Sequence, residues 1–141
     1  MNTATYDRTA VGPTNTVQNF AELGGRVLLA SLFLLSGVGK IAGYTATAGY
    51  MASVGVPGAL LPLVIATELL GAIAIIIGWK TRIVAFLLAG FTLLSAFVFH
   101  SNFANQVEMV MFLKNVSIAG GLLLLVVHGA GRISVDRRAA K

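Results

Sequence analysis

A few ionisable side chains interrupt or border long apolar runs in this chain, and their types set the chemistry available to it. Lys40, Glu68 and Lys114 lie inside such runs, Asn115 follows Lys114, and His100 and Glu108 stand at run ends. A charge placed within a bilayer costs several kcal/mol unless it is paired, so such residues either fix helix contacts or line a polar cavity. Lys40, Lys114, Glu68 and Glu108 sum to zero charge, which makes mutual pairing the natural solution. Should they converge, the ammonium groups would suit an anionic substrate or a quinone head group. Glu68 would balance charge or relay a proton, and His100 would pass protons at the rim. Two other readings stay open from sequence: an ion-pair network that only sets helix register, and, for Lys40, a long stem snorkelling to the headgroups.

Other chemistries lack their residues. There is no cysteine, which removes disulfides, thiolate metal sites, iron–sulfur clusters and thiol redox relays. No phosphate-binding glycine loop, His-Glu-x-x-His or dinucleotide fingerprint occurs, so neither a metal site nor an intrinsic cofactor is expected. His100 and His128 belong to opposite ends of the expected bundle, about 30 Å apart, too far to share one haem. The net charge of +5 does not gather on one solvated face, so it points to membrane topology and not to nucleic acid.

The elements that must position these side chains follow from hydropathy. Of 141 residues, 57% are apolar and 11% charged, where a soluble domain carries about a quarter charged. Four runs, Leu23–Ala42, Leu60–Trp79, Ile83–Phe99 and Met109–Val127, are each long enough to cross about 30 Å of hydrocarbon as a helix. Helices are required because backbone facing lipid must satisfy its own polar groups. The predicted fold is an all-α integral membrane four-helix bundle. Residues 1–22 form a polar tail, 23–128 the transmembrane domain and 129–141 a basic tail.

Trp79-Lys80-Thr81-Arg82 is short enough to force a hairpin between spans 2 and 3. Gly43–Ala59 reads as a short interfacial helix ended by Gly55 and Pro57, with Tyr44 and Tyr50 at headgroup level, or as an irregular loop. Arg8, Arg26, Lys80, Arg82, Arg132, Arg137, Arg138 and Lys141 fall on one side of a four-span chain, which predicts both termini in the cytoplasm. Lys40, Glu68 and Lys114 then share the outer half of the bilayer, with His100 and Glu108 at its rim. Each of the three shares a helix face with small residues: Ser36 and Gly37, Gly71 and Ala72, Ser117 and Gly121. Small residues mark helix contacts in membranes, so the charges should point inward. Ala85, Ala89 and Gly90 of span 3 offer a side on which another subunit could pack.

Several stretches together resemble the DoxX family, and its small YphA-like bacterial inner-membrane members in particular. They are Arg26, Ser36-Gly37-Val38-Gly39-Lys40, Glu68-Leu69-Leu70-Gly71, Gly78-Trp79-Lys80-Thr81-Arg82, Lys114–Gly120 and Gly129–Asp136. Ala130 stands where family sequences often have Pro, while the Ser-x-Asp pattern is intact. The resemblance implies a four-helix bacterial inner-membrane protein. It also implies a link to membrane redox complexes, since the family takes its name from a small subunit of a thiosulfate:quinone oxidoreductase. The expected function is thus a membrane component of a quinone-linked redox system, with a bound quinone and a redox partner subunit. A non-enzymatic scaffold, assembly or stress-related partner protein is the alternative, and a small permease, which would need a homo-oligomer, a weaker one.

Overall fold

The computed structural model describes residues 16–140, all helical apart from short connections. Helix α1 covers Thr16–Ala42, α2 Tyr44–Ser53, α3 Leu61–Ile77, α4 Thr81–Phe99, α5 Gln106–His128 and α6 Val135–Ala139. Four of these, α1, α3 with the 3-10 turn before it, α4 and α5, are long and apolar enough to cross a membrane. The chain is an all-α membrane bundle, as its composition demands. Helix α1 already includes Thr16, the first described residue, so the boundary drawn at residue 22 falls inside it. Thr16, Gln18, Asn19 and Glu22 carry no apolar signal, yet the backbone continues its hydrogen-bonded ladder through them.

The segment after α1 is the short helix α2, closed by Gly55 at φ 82° and followed by Pro57. It turns Met51 into the protein, where that side chain is 4% exposed, and leaves Tyr44 and Tyr50 half-exposed.

Helix α1 packs along α3 and α4 along α5; α3 meets α4 less extensively, and α1 touches α5 only sparsely. The core therefore sits where the two pairs meet, among Ala30, Phe33, Ala72, Ile75, Leu88 and Leu122. Close approach of α1 to α3 needs Gly37, because a β-carbon there would overlap the Leu69 side chain. Ala85 and Ala89 are buried against the chain's own helices at 0% and 3% exposure. They are thus unavailable to the second subunit the sequence suggested, and only Gly90 of that trio faces outward. Small residues signal a helix contact without naming the partner helix. Large apolar side chains such as Leu28, Leu35, Leu70 and Val127 stand more than half exposed around the outside, the surface a bilayer covers.

Candidate functional site

The first and last described residues lie at one end of the bundle, where Arg26 meets Ile133, and the acid–base residues gather at the other, distal end. Lys40, in the last turn of α1, reaches Glu68 of α3, with Nζ 2.8 Å from Oε1 and 2.9 Å from Oε2. Ser36, one turn before Lys40, accepts from Nζ and donates to Glu68 Oε1 at 3.1 Å. The spacing of four puts Ser36 and Lys40 on one face, and Gly37 beside them lets the α3 backbone come near. The Glu68 side chain is 7% exposed and that of Lys40 24%, so the pair is closed toward the core and open on one side. Pairing within this low-dielectric environment offsets desolvation that neither group alone would survive.

Lys114 and Glu108 do not join that pair. Glu108 Oε2 instead lies 2.8 Å from His100 Nδ1, across the turn between α4 and α5. Asn105 caps α5 there, its Oδ1 accepting from the backbone N–H groups of Val107 and Glu108. Glu108 thus sits in the first turn of α5, where the helix dipole favours a carboxylate. Lys114 Nζ is 3.1 Å from Met111 Sδ, and among the described residues no carboxylate pairs with it. The expected four-charge network is therefore two separate dyads and a lone ammonium. Glu108 lies at the very start of α5, close enough to the turn for the nearer imidazole to take it.

Between these groups lies a cavity of about 510 Å³, within the usual range for small-molecule sites. Lys40, Glu68, His100, Lys114 and Asn115 all line it; Glu108 does not. Five of the six candidates thus share one space, though only two of them pair. Its remaining walls are largely apolar, with Phe33, Leu63, Phe91 and Ile118 among them, and α2 covers its distal end through Thr47, Tyr50 and Met51. Tyr50, Thr67, Thr92 and Ser95 add hydroxyls that sequence reading missed. Thr67 and Thr92 donate to carbonyls one turn back, at 2.8 and 2.7 Å, which hides their polarity inside apolar helices.

The terminal end holds a second polar cluster. Arg26 is 1% exposed, and its guanidinium donates to the carbonyls of Ile75, at 3.3 Å, and Ile133. It was expected with the topology anchors at the membrane surface; it lies at their end of the bundle but is buried, because the last segment folds over it. Asp136 accepts from the backbone N–H of Lys80 at 2.6 Å and of Thr81 at 2.9 Å, capping α4 from 55 residues away. The Asp136 N–H donates to Gly78 O at 2.9 Å. Partial burial pushes the Asp136 carboxyl up. Donation from Thr81 and Lys80 and the charge of Arg26 outweigh this and hold it below the ordinary carboxylate value.

Gly78, at φ 72°, is needed here twice over, since a β-carbon would also strike Arg26 and Ser134. Lys80 follows at φ 45°, with its ammonium 5.6 Å from the Trp79 ring centre. Lys80, Arg82, Arg132, Arg137 and Arg138 all lie at this end with exposed side chains. Arg8 and Lys141 lie outside the described residues. The signal for this cluster was the Gly129–Asp136 stretch, whose Ser-x-Asp pattern gave no hint of its target.

The DoxX family model matches residues 21–101 of the chain. The inner membrane protein YqjF of Escherichia coli K12 is 50% identical over 121 residues, covering 86% of this chain and 93% of the relative. The inner membrane protein YphA of the same organism is 40% identical over 120 residues, covering 80% and 86%. No solved structure matches.

Proposed function

The chain belongs to the DoxX family and is a multi-pass inner-membrane protein, and from that premise we propose that it is the membrane component of a quinone-linked redox system. The observation that carries this reading is the distal cavity. It is large enough for a substituted ring, apolar on most of its walls, and bordered by an ammonium group that no carboxylate among the described residues neutralises. With Lys40 already held by Glu68, Lys114 is the cation that meets an electron-rich oxygen, and Asn115 beside it supplies an amide donor. His100 borders the same space and bonds to Glu108. A ring nitrogen can therefore take or give a proton beside a bound head group while the carboxylate orients the imidazole. The chain has no thiol, so electrons would come from a partner subunit and reside on the bound quinone.

The test is to purify the protein from membranes in mild detergent, extract its lipids and measure quinone per chain in wild type and Lys114→Ala. Quinone retained by wild type and lost by the variant supports the reading. Its absence from both, with no electron transfer to added quinone from any membrane donor, removes it.

A second reading, a non-enzymatic scaffold or assembly partner, is favoured by one feature. The Lys40–Glu68–Ser36 triad is complete without a ligand and fastens α1 to α3 by itself. On that reading Glu68→Gln lowers abundance and recovery of partners while any turnover per molecule stays unchanged.

A further inference from the structure

The two helices that hardly pack against each other, α1 and α5, both border the distal cavity. They run antiparallel and meet in the middle of the bundle, where the Leu29 methyl groups lie over the bare α-carbon of Gly121. From Leu29 the facing stripe of α1 continues through Phe33 and Ser36 to Lys40. From Gly121 the facing stripe of α5 continues through Ile118 to Lys114, about 10 Å nearer the distal end. Above the Leu29–Gly121 contact the helices therefore face each other across the cavity and not across packed side chains. At this opening Leu32 is 39% exposed and Lys114 is exposed.

On the distal side α2 lies over the cavity with Thr47, Tyr50 and Met51. Tyr50 stacks on Phe99 at 5.7 Å and donates to its carbonyl at 3.3 Å. Met51 is buried beneath α2. Lys114 itself lies two turns into α5, at a depth where an ammonium group is costly unless something neutralises it.

We propose that the α1–α5 seam is a lateral entrance from the bilayer, through which a lipid-soluble molecule with an electron-rich oxygen head reaches Lys114. This rests on the preceding reading only for naming that molecule a quinone. The seam supplies an apolar path for the tail, and Lys114 at its edge supplies the cation that the head group satisfies.

The chain's lack of cysteine makes the test direct. Asn115→Cys, or Ser95→Cys should the first fail to fold, is treated in native membranes with lipid-soluble N-phenylmaleimide or with a membrane-impermeant trimethylammonium methanethiosulfonate applied to either face. The lipid-soluble reagent is expected to label about tenfold faster or more, because it concentrates where the entrance opens. Adding Leu32→Trp is expected to slow labelling several-fold, whereas Leu70→Trp, on the exposed side of α3 and outside the cavity lining, leaves it unchanged. Equal or faster labelling by the charged reagent, or slowing by Leu70→Trp alone, overturns the proposal.

Decylubiquinone, as the ligand probe, is expected to protect the introduced thiol, with the protection lost in Lys114→Met. Protection that survives Lys114→Met overturns the role of Lys114. Labelling as expected with no protection by decylubiquinone leaves the entrance standing and removes the quinone reading.

Discussion

At the distal end the Lys40–Glu68 pair borders open space, whereas at the terminal end Arg26, Gly78, Ser134 and Asp136 are packed into the joint between helices. Both places hold charge, and both draw it from distant parts of the chain. They differ in what completes the charge. Arg26 is held by backbone carbonyls and lies within reach of Glu22 and Asp136, so its neighbours are all supplied by the fold. Lys114 has only a thioether, so its counter-charge must come from elsewhere. Among the described residues the distal site leaves an ammonium without a counter-charge, whereas the joint sets its guanidinium near carboxylates of the chain itself.

The largest effect should come from breaking the distal pair on one side. Glu68→Ala strands Lys40 in the bundle and is expected to destabilise by about 3–5 kcal/mol, whereas the double variant Lys40→Met/Glu68→Met regains most of that. Unfolding by denaturing detergent, followed by circular dichroism, would read both; equal losses in the single and double variants would show that the pair does not act as a unit.

Gly78→Ala comes next, at about 2–3 kcal/mol, because it combines a left-handed backbone with overlap at Arg26 and Ser134. Its loss should appear in the same assay with quinone retention unchanged in the folded fraction, which would separate the joint from the site. Asp136→Asn is expected to cost about 1 kcal/mol at neutral pH by weakening the α4 cap. Since the folded carboxyl lies below its ordinary value, its contribution is full above about pH 4 and fades as pH falls through the folded value. The gap between wild type and Asp136→Asn should therefore narrow on acidification, and a gap that widened would contradict the assigned contact. Smallest of all as a loss, Lys114→Met should leave stability unchanged or raise it while abolishing ligand retention, since it removes an ammonium whose contact is a thioether.

The spans, the Trp79–Arg82 hairpin and the convergence of Lys40 with Glu68 were legible because each follows from a local constraint. Lipid demands helices, a short connection demands a hairpin, and a carboxylate two turns into an apolar run demands a cation at its depth. Depth counting placed Lys114 beside the same cavity but could not say that its ammonium would turn to Met111. Choice of partner depends on helix rotation, which sequence spacing fixes only to within a face. The same limit explains Glu108, which pairs with His100 and not with a lysine, and Ala85 and Ala89, whose small side chains serve the chain's own neighbours. Arg26 reads as a surface anchor until the last residues are seen to fold over it. Nothing local in Ser134-Val135-Asp136 points to a helix start 55 residues earlier.

That long-range cap gives the protein an order of assembly. Before Asp136 has been made, the α3–α4 hairpin can enter the bilayer, but the first amide groups of α4 have no carboxylate to receive them and Lys80 keeps its unfavourable backbone unaided. The seal at the terminal face forms only after Asp136 has been made, so a nascent chain halted before Ser134 would carry its four long helices with an unlatched base.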